Sequence, residues 1–254
     1  MLVLRSLVFN VLFYLNLILW LIAIIPVFVM PRWGIIKAAR AWAHSSLRLL
    51  EAVVGTKVEF RGLERLPKGG ILVAAKHQSM WETFALLTIV DDPAFILKRE
   101  LMLIPFFGWY AAKARSVAVD RSAGSKALAL MNARAREEAA RGRQIMIFPE
   151  GTRRAAGAPP AYKYGVAHLY TTLGVPCVPI ALNSGLYWPR RQFIRRPGTV
   201  VVEILEPIPP GLPRDTFFAE IQTRIEEASD RLLREGQAEL GLLPKPSAAP
   251  SPKA

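Results

Sequence analysis

A chain of 254 residues with a hydrophobic fraction of 52% and a mean hydropathy of +0.25 has room for one catalytic domain and a short appendage, not for two independent cores. Its single cysteine, Cys177, excludes an intrachain disulfide framework and reads as a small buried hydrophobe between Pro176 and Val178. A formal charge of +13 calls for a polyanionic partner, and with no RNA-recognition or zinc-finger pattern and an apolar N-terminus, an anionic membrane surface is favoured and nucleic acid is not.

From Ser6 to Met30 the clearly polar side chains are Ser6, Asn10 and Asn16. At about 1.5 Å of rise per helical residue, a stretch of about two dozen residues can cross a hydrocarbon core. It ends in Pro26-Val27-Phe28-Val29-Met30 rather than in the small residues of a cleavage site, so a retained anchor is expected. Arg5 precedes it, while Arg32, Lys37, Arg40 and Arg48 follow, a bias that puts the remainder on the cytoplasmic side of the cell's inner membrane. Residues 34–50 repeat apolar side chains at helical spacing between cations, the pattern of a basic amphipathic helix. Such a helix either packs on the core or lies in the interface with Trp42 at headgroup level, and the second is the expectation. A transmembrane span and an interfacial or re-entrant helical pair both remain open.

Beyond Thr56 short β-rich runs at 57–60, 71–75, 94–98, 116–119, 144–148, 178–182 and 200–205 alternate with helical runs at 81–89, 101–114, 125–141, 162–173 and 215–234. This predicts an α/β fold with a mixed sheet covered by helices, behind an N-terminal helical anchor. The expected organisation is residues 1–50 as membrane-anchoring helices, 51–240 as a catalytic domain, and 241–254, rich in Pro, Ser, Ala and Lys, as a disordered tail.

Chemistry-bearing residues gather where predicted strands end. His77 and Glu82 stand in Lys76-His77-Gln78-Ser79-Met80-Trp81-Glu82, directly after the run 71–75. Five positions apart, they meet only across a bend, which a strand-to-helix junction supplies; alternatively, Ser79-x-x-Glu82 is a capping box and no more. The run 144–148 leads into Phe148-Pro149-Glu150-Gly151-Thr152-Arg153, with a flexible glycine, a hydroxyl and a planar guanidinium fork suited to phosphate oxygens. Lys98 and Arg121 place further cations at strand ends. His44, His77 and His168 have no metal-ligand spacing, and no Gly-x-Ser-x-Gly elbow is present, so neither a metal nor a covalent acyl-enzyme is expected. Residues 187–196 mix aromatics and cations, as in a loop that touches anionic headgroups or an acidic carrier.

Taken together and in order, His77 with Glu82, Lys98 through Gly108 with Arg121, Phe148 through Arg153, and Val175-Pro176-Cys177-Val178-Pro179 resemble the four motifs of the glycerophospholipid acyltransferase family, within it the 1-acylglycerol-3-phosphate acyltransferases. The resemblance implies that His77 is a general base and Glu82 its orienting acid. It implies that Lys98, Arg121, Glu150, Gly151, Thr152 and Arg153 form a pocket for the acceptor's phosphate. It further implies transfer of a fatty acyl group from acyl-CoA or acyl carrier protein to a lysophospholipid hydroxyl, with the thioester as co-substrate and no other cofactor. Glu82 stands where aspartate is commoner, Lys76 where asparagine is frequent, and the stretch before Arg121 lacks the usual aromatic and glycine. These departures leave room for another acceptor such as a lyso-ornithine lipid, or for a non-catalytic protein that binds anionic lipid.

Overall fold

The structure, a computed structural model, describes residues 1–120 and 124–242. Arg121 and nearly all of the expected tail lie outside the described residues. The strands β1 (Thr56–Arg61), β2 (Ile71–Ala75), β3 (Pro93–Lys98), β4 (Val117–Val119), β5 (Gln144–Ile147), β6 (Cys177–Leu182) and β7 (Gly198–Ile204) form one sheet in the order β1-β7-β6-β2-β5-β3-β4. From β6 to β4 every neighbouring pair is parallel, whereas β7 runs antiparallel to β6 and carries β1 parallel to itself. The sheet is therefore mixed, as its sequence pattern predicts. The carboxyl ends of β6, β2, β5, β3 and β4 share one edge, the edge at which open α/β sheets bind ligands.

Helices α1 (Leu2–Ala23), α2 (Trp33–Val54), α3 (Trp81–Ala85), α4 (Phe107–Lys113), α5 (Gly124–Ala140), α6 (Gly165–Leu173), α7 (Ser184–Tyr187) and α8 (Arg214–Glu239) cover both faces. Strand periodicity decides which side chain meets which helix. Ile71, Val73 and Ala75 of β2 enter a core with Phe9, Phe13, Leu50 and Phe84, while Leu72 and Ala74 enter one with Ala135, Tyr170, Phe217 and Ile221. All of β2 is buried, which is why it reads as an unbroken apolar run.

One stripe of α1 docks on this body. Phe9 and Phe13 pack their rings edge-on against Trp188 at 5.2 and 5.3 Å. Each such burial contributes about 1.5–3 kcal/mol. Ser6, Asn10 and Asn16 of α1 fall on the same stripe. Ser6 Oγ accepts from Arg195 N at 2.9 Å, Asn10 Nδ2 donates to Phe193 O at 3.1 Å, and Asn16 Nδ2 donates to Ser45 and Ser46 at 3.0 and 3.1 Å. Apart from Arg5 near its start and Tyr14, what faces outward is apolar, with Leu4, Leu7, Val11, Leu15, Leu19 and Ile22 all exposed. The apolar stretch from Leu2 to Val29 is long enough to cross a membrane by length and composition.

The structure corrects several expectations. Trp42 does not project outward: α2 packs on the core, and Trp42 turns against Phe13 and Phe84. The helix expected over 101–114 is broken into a 3-10 turn, Arg99–Leu103, and α4. Pro105 causes the break by forcing the residue before it out of the helical region, and Ile104 is extended at ψ 122. The aromatic and cationic loop 187–196 turns half of its content inward, where Trp188 is buried against α1 and the Arg195 guanidinium lies 4.5 Å over its ring. Burial lowers the Arg195 guanidinium to about 10.

Candidate active site

Residue 76 leaves the sheet with its N–H still bonded to Ile180 O, and the chain then bends through Gln78, Ser79 and Met80 into α3. Across that bend His77 Nδ1 meets Glu82 Oε1 at 2.9 Å. The same oxygen accepts the backbone N–H groups of Gln78 and Ser79, each at 2.7 Å. The other oxygen accepts the Ser184 hydroxyl at 2.7 Å. Both carboxylate oxygens are thus engaged, Oε1 by three donors and Oε2 by one. Glu82 is wholly buried, so its orientation is fixed from every side. The two readings of Glu82 merge: it reaches back to Ser79 N–H as in a capping box, and with the same atom it holds His77.

With Nδ1–H donated to Glu82, His77 keeps the lone pair of Nε2 for chemistry. The imidazole stacks on the Phe148 ring at 4.1 Å between centroids and 17° between planes, which fixes its plane, and its side chain remains 14% exposed. Phe148 directly follows the neighbouring strand β5. The loop beyond it is tied to His77, for Arg154 N–H donates to His77 O at 2.8 Å. Gly151 makes the tight turn, with a φ of 65° that other residues adopt only under strain and an N–H that returns to Phe148 O at 2.8 Å.

Glu150 does not join a phosphate pocket. Its carboxylate is buried and faces Lys76 Nζ at 3.2 Å, and Lys76 also meets Glu226 at 2.6 Å. Burial keeps the Glu150 carboxyl above its ordinary value in spite of Lys76. A carboxylate in a phosphate pocket would repel its ligand; pointing inward, it instead anchors the lysine beside His77. Thr152 is exposed, and the Arg153 side chain is half-buried while its carbonyl accepts from Arg190 at 2.8 Å. Lys98 is exposed at the end of β3, and beside it Arg99 pairs with Asp120 at 2.9 Å. Arg121 follows these residues outside the described part. Cys177 is fully buried, and burial pushes its thiol far up, away from reactivity.

Sequence reasoning missed Ser184. It stands 102 positions from Glu82, and only the adjacency of β6 and β2 brings the two together.

A family model described as acyltransferase matches residues 57–183, half of the chain. The chain belongs to the acyltransferase family. It is 39% identical over 163 residues to a 1-acyl-sn-glycerol-3-phosphate acyltransferase of Pseudomonas aeruginosa, covering 64% of this chain and 63% of that protein. It is 30% identical over 175 residues to the protein of the same name from Saccharomyces cerevisiae, covering 67% of this chain and 56% of that one. The chain thus spans less than two thirds of the length of these relatives. The fold is that of the crystal structure of the 1-acyl-sn-glycerophosphate (LPA) acyltransferase PlsC from Thermotoga maritima, with a TM-score of 0.75 at 23% identity over 91% of this chain and 99% of that one.

Proposed function

We propose that the protein transfers a fatty acyl group from an acyl thioester, carried by coenzyme A or acyl carrier protein, to the sn-2 hydroxyl of 1-acylglycerol 3-phosphate, giving phosphatidic acid. The observation that carries this reading is the bond from His77 Nδ1 to a buried Glu82 carboxylate whose two oxygens are both held by hydrogen bonds. Nε2 of His77 takes the hydroxyl proton as the oxygen attacks the thioester carbonyl. Glu82 stabilises the imidazolium so formed. The tetrahedral intermediate collapses, the C–S bond breaks, and the carrier leaves as a thiolate that is reprotonated by His77. Such proton transfer contributes about 10²–10⁴-fold, and positioning supplies much of the remainder.

On this reading Arg153 and Lys98, with Arg121, receive the acceptor's phosphomonoester, while Gly151 and Thr152 shape the turn beside it. The names of the relatives support this acceptor. The outward face of α1 is solvated by lipid at the inner membrane, with the domain in the cytoplasm. Both ends of this segment are bonded to the domain, since Asn10 bonds Phe193 O and the hydroxyl of Tyr110 donates to Leu21 O at 2.7 Å. A helix docked along its length would drag a charged domain into the hydrocarbon if it crossed the bilayer. The packing therefore supports an interfacial placement.

The acceptor is tested with purified protein in detergent, both donor types, and lysophosphatidic acid, lysophosphatidylcholine and lyso-ornithine lipid. Wild type is expected to prefer lysophosphatidic acid, and Arg153→Ala to raise its KM about ten- to a hundredfold, the worth of a charge-assisted hydrogen bond. Faster acylation of lyso-ornithine lipid, or an unchanged acceptor ranking in Arg153→Ala, would sink the phosphate assignment. No turnover on any acceptor would point to a non-catalytic lipid binder.

A further inference from the structure

The segment between β3 and α4 presents an unusual surface. Leu103 is 80% exposed and Trp109 56% exposed, with Ile104, Phe106 and Phe107 exposed beside them. An apolar patch of this kind marks an interaction site, since water favours its burial. The backbone is bent to create it. Phe106 sits at φ 62° and ψ −55°, a conformation that a bulky side chain adopts only where the surroundings hold it there. Gly108 permits the tight return of the chain, because a Cβ at this position would lie 2.0 Å from Met102 O. A strained backbone that turns aromatic side chains toward solvent stabilises nothing in the isolated fold, so its use lies in what covers them.

The same patch runs on into the anchor. Ile25 and Phe28, from the turn after α1, line an open apolar cleft of about 390 Å³ with Phe106 and Trp109. Phe28 stacks on Tyr110 at 4.9 Å, and Lys113 Nζ donates to Phe28 O at 3.1 Å, so the two segments form one surface. Exposed cations flank the segment along the chain, Lys98 and Arg99 before it and Arg115 after α4. Aromatic side chains beside cations suit the boundary between acyl chains and anionic headgroups.

We infer that residues 101–109 form a second membrane-inserting element, whose occupant is the hydrocarbon of the leaflet that also solvates the outward face of α1. The inference rests on the reading of α1 as lipid-solvated. Because the segment follows Lys98 at the end of β3, its insertion holds the acceptor side of the carboxyl edge at the bilayer surface. A lysolipid could then enter from the leaflet with its chain still in lipid.

The test uses the full chain. Cys177 is buried, so Leu103→Cys offers one accessible thiol for an environment-sensitive fluorophore, and Leu130→Cys on the outer side of α5 provides the control. On vesicles of phosphatidylcholine with a minority of phosphatidylglycerol, the label at position 103 should shift to the blue and lose emission to doxyl-labelled lipid, while the label at position 130 should do neither. Leu103→Asp should lower partitioning onto the same vesicles by about tenfold or more, the factor that burial of one leucine supplies. A protein that cosediments with vesicles while position 103 stays aqueous overturns the inference and leaves the anchor reading intact. Failure to cosediment overturns both. A blue shift that grows with protein concentration in the absence of lipid overturns the inference in favour of a second copy covering this face.

Discussion

The two ends of the sheet's carboxyl edge are built differently. At β2 and β6, Glu82 is buried with both oxygens hydrogen-bonded, and His77 is held by a hydrogen bond on one side and an aromatic ring on another. At β3 and β4, Lys98 is exposed and the Arg99–Asp120 pair is solvated. The first end is organised before any ligand arrives. The second is left to be completed by one. Proton transfer requires a fixed geometry at the moment of reaction, since any reorganisation adds to the barrier, whereas charged groups that receive an anion keep their hydration until it binds.

The contrast can be broken by mutation. His77→Ala should lower kcat at least a hundredfold in a protein with an unchanged circular dichroism spectrum, and near-normal turnover would overturn the base assignment. Glu82→Gln should be nearly as slow with little change in heat stability, because the amide oxygen can still accept from Gln78 N–H and Ser79 N–H while its NH2 donates to the Ser184 hydroxyl, but a neutral amide does not stabilise the imidazolium. Glu82→Asp should retain substantial activity, and equal activity of the two variants would mean that the carboxylate does not orient His77. Ser184→Ala removes one bond to that carboxylate and should lower kcat by about tenfold with KM unchanged, a split that general loosening would not give; Ser184→Thr should recover part of the loss. Lys98→Ala should change KM for the lysolipid a few-fold and leave kcat alone, because an exposed charge contributes little until it meets its ligand. A large fall in kcat would show that this end, too, is preorganised.

The smallest effect lies away from both ends. Asp92 forms a bidentate pair with Arg32, at 2.6 Å for the second bond, and also bonds Arg143. Burial raises its carboxyl, but the two guanidiniums outweigh this and hold it below its ordinary value of 3.8. A carboxylate depressed in the folded state adds stability that is complete above its unfolded value and fades as the pH falls through the folded one. Wild type should therefore lose thermal stability more steeply than Asp92→Asn below a pH of about 4.

The sheet was legible because its strands are bounded by turn residues and alternate with helical runs, and the positions of His77, Lys98 and Arg153 at strand ends followed directly. Other features depend on what strand order brings together. Nothing local marks Ser184, and nothing in Phe-Pro-Glu-Gly-Thr-Arg tells whether Glu150 looks outward or, as it does, inward to Lys76. The direction of Trp42 was equally hidden, because an amphipathic helix presents the same stripe to a core as to a lipid surface. Pro105 did carry a warning against one helix over 101–114, and the apolar periodicity around it obscured that signal.

The docked stripe of α1 also separates address from attachment. Ser6, Phe9, Asn10, Phe13 and Asn16 hold the helix to its own domain, while the outward leucines, valines and isoleucines speak only to the solvent. The second set can be rewritten without touching the first. A version with glutamate, lysine and glutamine at Leu4, Leu7, Val11, Leu15, Leu19 and Ile22 keeps every bond to the domain, and it should bind vesicles only through the apolar surface that residues 101–109 share with Ile25 and Phe28.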